Sequence, residues 1–432
     1  RLFATTSSKP VRLFLAVFLA KLVRFAARLR GGGSAFPGLV LLRLIPDVLR
    51  RSLESLPSGV IFVTGSNGKS TTTAMLVGIL RAHGLRVFSN PAGGNLPQGL
   101  ASALVGGLSL RGVLAADIAV LEVDEAYGPQ IAQRVTPGWV VFTNIQVDQL
   151  NRFGEPEAVF AMLEKLAGYA TTGVLVNGSD PNTAALGATL AARGVRVEHM
   201  EVSARATASA QHGLVAAPLF FDNVGELPGD PSASVMAVAG SQVDLGAGGA
   251  TATVAMPHSG LHYAVDAALA VAMASHVAPG FSLPRAADAL AQSTPVYGRG
   301  EVIHYRGRDI SLTMMKNLPS LQANLDAFAT PLERVWIAVD EGTPDPSWIF
   351  DVDTRAIGSV SIISGSKAAQ WALLLEYRGI DYGSVVEDTR AGMDAFVGAA
   401  DESSGMLHAI VNYEQMMLIR RIAGYKELEG AS

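Results

Sequence analysis

The sequence predicts an α/β protein: a central parallel-sheet unit with a phosphate-binding turn and a β-rich insertion, then a smaller, Rossmann-like α/β unit. Three observations predict it. A buried apolar strand runs straight into a glycine-bearing turn and a helix in VIFVTGSNGKSTTTAML, Val60 to Leu76. Strand-length apolar runs then alternate with helical stretches as far as Asn182, the pattern of a parallel sheet. The alternation lapses in a stretch rich in Ala, Gly, Ser and Val between residues 200 and 250, and restarts after Glu301. At 432 residues the chain exceeds one ordinary core. The division expected is N-terminal helices and linker over residues 1–52, the central unit over 53–298 and the last unit over 299–432.

Taken in order, the chain begins with a continuously apolar run, Leu13 to Ala20, followed by Lys21, Arg24 and Arg28 at helical spacing. The run is too short to cross roughly 30 Å of hydrocarbon, so an amphipathic helix is expected. That helix either packs on its own protein or lies on a membrane surface. GGGSAFPG, Gly31 to Gly38, ends it, and Leu39 to Leu53 reads as another short helix. Net charge is −5 with no dense Lys/Arg block, which argues against nucleic acid as a partner. The chain has no cysteine. Disulfides, a thiolate zinc site and a cysteine nucleophile of its own are therefore excluded, and a cytoplasmic protein is favoured.

The turn is a candidate phosphate cradle. Val60 to Val63 form the buried strand, while Gly65 and Gly68 remove Cβ atoms so that successive backbone N–H groups, including that of Asn67, can face one anion. Lys69 adds a point charge, Ser70 or Thr71 a hydroxyl suited to Mg²⁺, and the new helix its positive end. The strict G-x-x-x-x-G-K-[ST] spacing is not met, because Val63 stands at the first glycine. Strand, Gly-Lys-Ser and helix in succession nonetheless point to a nucleotide.

A second strand is expected at Leu85 to Ser89, with Asn90 and Asn95 in the loop after it either serving a ligand or ending turns. Ile118 to Leu121 is a third, with Glu122 and Glu125 at its end. A carboxylate there can hold Mg²⁺ beside a triphosphate, and Glu122 is the candidate. A further strand starts at Trp139 and another lies in Gly173 to Asn182. Met256 to Ala274 reads as a helix whose Ala267, Ala268 and Ala270 allow close approach to the sheet. After Glu301 the elements expected are strands VIHY and ISLTMM, a helix over Leu321 to Phe328, strands RVWIAVD and VSIISG, and a helix over Lys367 to Tyr377, as a second parallel α/β unit.

TGSNGKSTTT resembles the ATP-binding turn of the Mur ligase family, which includes folylpolyglutamate synthases. The family's N-x-x-x-D-H-L-D-x-x-G is matched by Asn144, Asp148, Leu150 and Gly154, with Gln149 for histidine and Asn151 for aspartate. GVLVNGSDPN is similar to its N-x-D-D-P segment, and Gly260 and His262 to its G-x-H-N-x-x-N-x-x-A-A helix, with Tyr263 and Asp266 replacing the asparagines. YGRGE resembles the interdomain G-R-x-E. The variant D-Q-L, the Lys316–Asn317 pair (with Leu318 extra before Pro319) and D-P-S-W-I-F-D-V-D, Asp345 to Asp353, resemble the MurT-type branch of the family.

The resemblance implies that Asn144, Asp266 and Arg299 contact nucleotide, that Glu122 helps hold metal and that Lys316 faces the cleft. Many MurT-type chains carry a four-cysteine zinc ribbon near residues 200–250. No zinc is expected here, since His199 and His212 cannot replace four thiolates. It further implies a two-subunit amidotransferase acting on lipid II: a GatD-like glutaminase supplies ammonia, and an aspartate of this chain, Asp351 or else Asp345, orients the glutaminase histidine. Two other readings stay open, a stand-alone amino-acid ligase and a nucleotide-binding scaffold without catalysis.

Overall fold

The computed structural model describes residues 9–29, 35–90, 94–146, 156–221, 225–294, 299–341, 347–400 and 405–425. Among these residues the strands form two sheets. The first comprises β1 (Val60–Thr64), β2 (Val87–Ser89), β3 (Ile118–Glu122), β4 (Trp139–Phe142), β5 (Gly173–Asn177), β6 (Val197–Val202), β7 (Ala233–Ala239), β8 (Gln242–Ala247) and β9 (Ala250–Ala255), in the order β2-β3-β1-β4-β5-β6-β7-β8-β9. Pairings from β2 to β7 are parallel. Their near-continuous β-branched and apolar runs suit strands covered on both faces, and every residue of β1, β3, β4 and β5 is buried.

One face is covered by α1 (Lys9–Leu29), α2 (Phe36–Leu44), α3 (Val48–Leu53) and α5 (Pro97–Gly107), the other by α4 (Lys69–Ala82) and helices Leu261–Val277 and Leu283–Ala291. Leu39 to Leu53, expected as one helix, is two, because Pro46 moves Ile45 out of helical geometry and α2 ends before it. The chain leaves β1 toward β2 and β3, then crosses back to β4. The carboxyl end of β1 is therefore the point where strand order reverses and where open α/β sheets bind ligands. Among the described residues, the β-rich character expected of residues 200–250 lies in β7, which joins β6 in parallel, and in β8 and β9, which extend the sheet antiparallel.

The second sheet contains β10 (Arg299–Tyr305), β11 (Arg308–Met314), β12 (Val335–Ala338), β13 (Val360–Ser364), β14 (Tyr382–Val385) and β15 (Leu407–Val411), in the order β10-β11-β15-β12-β13-β14. It is mixed rather than wholly parallel: β10 and β11 make an antiparallel hairpin. Arg306 and Gly307, at φ 48° and 80°, form its two-residue turn, the backbone geometry that matches the twist of paired strands. The following helix runs Leu318–Leu325, three residues earlier than expected. Asn317 and Ser320 cap it reciprocally, and that box rather than apolar spacing sets its start.

Candidate nucleotide site

The site is built on the turn from β1 into α4. Gly65 has φ +130°, and a Cβ there would lie 2.3 Å from the Thr143 hydroxyl; Gly68 has φ +82°, and a Cβ would lie 2.2 Å from Asp266 Oδ1. Only glycine fits either position. The turn is pinned from β4: Asn67 N–H donates to Asn144 Oδ1 (2.8 Å), Asn144 Nδ2 donates to the Asn67 carbonyl (3.1 Å), and the Thr143 hydroxyl to the same carbonyl (2.6 Å). Gln146 N–H donates to Ser66 Oγ at 3.0 Å. These bonds hold the turn open around the N-terminal end of a 14-residue helix, where the peptide dipoles favour an anion.

Charge is arranged in layers. Lys69 is buried, and its Nζ donates to the Gly65 carbonyl (2.5 Å) and to Glu125 Oε1 (2.9 Å). Ser70 Oγ donates to Glu122 Oε2 at 2.7 Å. Glu122 is held in turn by Asn90, which accepts its N–H (2.9 Å) and donates to its carbonyl (3.0 Å). Asn90 thus aligns the end of β3. Asp266 is buried on helix Leu261–Val277, and the Thr72 hydroxyl lies 3.1 Å from its Oδ1. The fully buried alanines of that helix bring it close enough to α4 for the carboxylate to pack on Gly68.

The second sheet's unit reaches this turn. Lys316 Nζ donates to the Ser66 carbonyl at 3.3 Å, and Asn67 Nδ2 to Asn317 Oδ1 at the same distance. Between them lies a cavity of about 430 Å³, lined among others by Asn67, Gly68, Asn144, Asp266 and Lys316. A second contact between the units joins His212 to two carboxylates. His212 meets Asp326 at 2.7 Å and Asp353 at 3.2 Å, and hydrogen bonds from Arg355, with the charges of Arg355 and His212 adding and burial opposing, hold the Asp353 carboxyl down at about 2.

The residues present suit a magnesium nucleotide. Ser70 and Glu122 offer a hydroxyl and a carboxylate in contact, the oxygen set Mg²⁺ uses when phosphates complete its shell. Among the described residues no three His, Cys, Asp or Glu side chains converge to hold an ion unaided. Asn317 Nδ2 is a buried amide donor without a hydrogen-bond partner among the described residues, as expected beside a site for acceptor-rich phosphate.

Of the residues singled out from the sequence, Gly65, Asn67, Gly68, Lys69, Ser70, Thr71, Glu122, Asn144, Asp266 and Lys316 lie at or beside this turn. Asp351 does not. It is exposed at the end of the short 3₁₀ helix Ser347–Asp351 of the second unit, with exposed Phe350 beside it. The Arg299 side chain, Asp148, Gln149, Leu150, Asn151, Gly154 and Asp345 lie outside the described residues. Thr143, Gln146 and Asp180 were not singled out. A threonine and a glutamine flanking a recognised asparagine at a strand's carboxyl end were the available signal for the first two.

Residues 63–220 match the Mur ligase middle domain. Curated relatives include the lipid II isoglutaminyl synthase (glutamine-hydrolyzing) subunit MurT of Staphylococcus aureus strain N315, 33% identical over 172 residues, covering 40% of this chain and 38% of that one. The subunit of the same name from Streptococcus pneumoniae is 38% identical over 152 residues, 35% of this chain and 33% of that one. The matched stretch thus spans less than two fifths of either relative. Among solved structures, MurF from Acinetobacter baumannii superposes with a TM-score of 0.66 at 18% identity, over 89% of this chain and 80% of that one. A pseudomurein peptide ligase type C from Methanothermus fervidus gives 0.64 at 18% identity, over 88% and 80%. The chain therefore carries a Mur ligase middle domain at residues 63–220, set within a Mur ligase fold.

Proposed function

We propose that this chain is an ATP-dependent carbon–nitrogen ligase, the synthetase subunit of a glutamine-dependent enzyme that amidates the D-glutamate α-carboxylate of the lipid II stem peptide to D-isoglutamine. The observation that carries this reading is the approach of Lys316 to Ser66, which puts a second-unit amine over the phosphate turn. Such an amine is placed to meet a phosphoryl group and a carboxylate brought together there.

In this reading the N–H groups at the start of α4, from Gly68 to Thr71, and the Lys69 ammonium hold the triphosphate, while Asn144 fixes the Asn67 peptide by accepting its N–H. Asp266 and Arg299 serve the remainder of the nucleotide. Ser70 and Glu122 hold Mg²⁺, whose contribution when bound is to offset phosphate charge. The carboxylate oxygen attacks the γ-phosphorus and ADP leaves, giving an acyl phosphate. Ammonia then attacks the acyl carbon, phosphate departs, and a proton is lost to leave the amide. Lys316 steadies the anionic oxygens in both steps, and closure of the second unit keeps water from the acyl phosphate.

The nitrogen comes from a partner. A cysteine-free chain cannot release ammonia from glutamine through a thioester, so a GatD-like glutaminase provides it. Asp351 orients that partner's histidine, and its exposed position suits docking. The test is amidation of lipid II with glutamine, assayed by mass spectrometry with each chain alone and with both. Product only with both chains, ammonium salts replacing the glutaminase, and loss on Lys69→Ala with the fold intact support the proposal. ATP turnover that needs an added amino acid and ignores ammonium would make the chain a stand-alone ligase. Product formation surviving Lys69→Ala would overturn the site assignment.

A further inference from the structure

Helix α1 is built the wrong way round for a helix whose only role is to pack on its own protein. Its buried face is small, Ala16, Val17 and Ala20, and lies against α2 and α5. Its large side chains point outward. Phe14, Leu15, Phe18, Leu19, Leu22 and Phe25 are all more than 40% exposed, Phe25 reaching 61%. At about 100° per residue these six occupy one arc of about 140° along the helix. Phe14 and Phe18 stack on that surface, with ring centroids 6.4 Å apart and planes 5° from parallel. An apolar stripe of this size left in water works against folding in solution.

Charge identifies the cover. The helix carries Lys9, Arg12, Lys21, Arg24 and Arg28 and no carboxylate, in a chain whose net charge is −5. By the same geometry Arg12 and Lys21 fall about 20° beyond the two edges of the apolar arc, where a helix lying in an interface holds its cations at headgroup level. A second copy of the helix would bring like charges together. No helix of the described residues is long and apolar enough to cross a membrane. The geometry points to α1 as an interfacial helix that seats the protein on an anionic phospholipid surface, apolar arc in the acyl boundary and flanking cations on the headgroups. This goes beyond the proposed reaction and does not depend on it.

The experiment is sedimentation of the full chain with vesicles of phosphatidylglycerol and phosphatidylcholine, compared with phosphatidylcholine alone, at low and high salt. Each cation near an anionic surface strengthens partitioning about five-fold, so binding should favour the anionic vesicles by more than ten-fold and weaken in salt. The combined variant Leu15→Asp, Phe18→Asp, Leu22→Asp should lose at least ten-fold in partitioning while nucleotide binding and melting temperature stay unchanged. Should that variant fold poorly, Phe18→Ser with Leu22→Ser gives the same comparison with less added charge. Failure of the wild-type chain to sediment with anionic vesicles would overturn the inference, as would sedimentation equal in wild type and variant. A wild-type dimer that these substitutions convert to monomer, without vesicle binding, would overturn it in favour of a second copy.

Discussion

Asp180 tests how the site is held together. It caps helix Pro181–Ala192, its Oδ1 accepting from Thr183 N–H (2.9 Å), and it also accepts from Ile145 N–H (3.4 Å), in the loop that carries Asn144 and Gln146 to the phosphate turn. Its Oδ2 is buried without a partner among the described residues. Burial outweighs the hydrogen bonds from Thr183, Ile145 and Asn182 and pushes this carboxyl from 3.8 up to about 6. A raised acid binds a proton in the native state where the unfolded chain has released it. The stabilisation from that proton is fully present below the unfolded value of 3.8 and is lost as pH rises through about 6. Roughly two pH units at 1.36 kcal/mol each give about 3 kcal/mol as an upper figure. Asp180→Asn keeps an acceptor for the cap and removes the buried charge. The variant should melt several degrees above wild type at pH 7.5, by up to about 3 kcal/mol, the gap shrinking to roughly 1 kcal/mol near pH 4.5 and closing only below the unfolded value of 3.8. Thermal melts of both proteins across that range decide the matter. A difference that does not change with pH, or a variant less stable than wild type at pH 7.5, would refute the reasoning.

Four further outcomes are expected. Gly68→Ala places a methyl 2.2 Å from Asp266 Oδ1 at a left-handed φ, so stability should fall by about 1–3 kcal/mol in denaturant melts and ADP affinity at least ten-fold by calorimetry. Lys316→Ala should lower kcat by about 10²–10³ with ADP affinity changed less than ten-fold, because its amine acts on the reacting groups rather than on the bound nucleotide. Asp351→Asn should cut glutamine-dependent turnover by about 10²–10⁴ and spare ammonium-dependent turnover, whereas equal loss of both would place Asp351 outside the glutaminase chemistry. Chelating divalent cations should weaken ATP binding at least ten-fold, and Glu122→Gln should reproduce most of that loss, both measured by calorimetry.

Local chemistry made the centre of this fold legible. β1, the Gly65 and Gly68 turn and α4 follow from β-branched burial and from positions that tolerate no Cβ, and both signals sit in adjacent residues. Glu122 was legible as a carboxylate at a strand end. Its contact with Ser70 is set by the parallel register of β1 on β3, which pairs Val63 with Glu122. Less legible were features decided by capping or by distant partners. The Asn317–Ser320 box moved a helix start by a turn, and the Arg306–Gly307 turn makes β10 and β11 an antiparallel hairpin in a unit expected to be parallel. Thr143, Gln146 and Asp180 gain their roles from loops up to 80 residues away, and no spacing rule in one sequence encodes such contacts.

The distribution of charge around the turn sets what transfer of a terminal phosphoryl group there would require of a cation and of the second unit. Glu122, Glu125 and Asp266 are buried carboxylates around the turn, against which stand the ammonium groups of Lys69 and Lys316. Counted at neutral pH, the carboxylates exceed the ammonium groups by one before any phosphate arrives. A triphosphate adds three to four negative charges, and in a partly desolvated cleft their mutual repulsion exceeds what helix N–H groups offset. Lys69 also shares its charge with Glu125 at 2.9 Å, so it cannot neutralise phosphate fully. In the proposed reaction Ser70 and Glu122 would hold a divalent cation, whose charge would offset that of the phosphates. Lys316 then supplies the last positive charge only when the second unit is seated on Ser66. In the proposed reaction the Lys316–Ser66 contact would serve both the electrostatics and the closing of the cleft, so that activation of the carboxylate and exclusion of water would be coupled through one lysine.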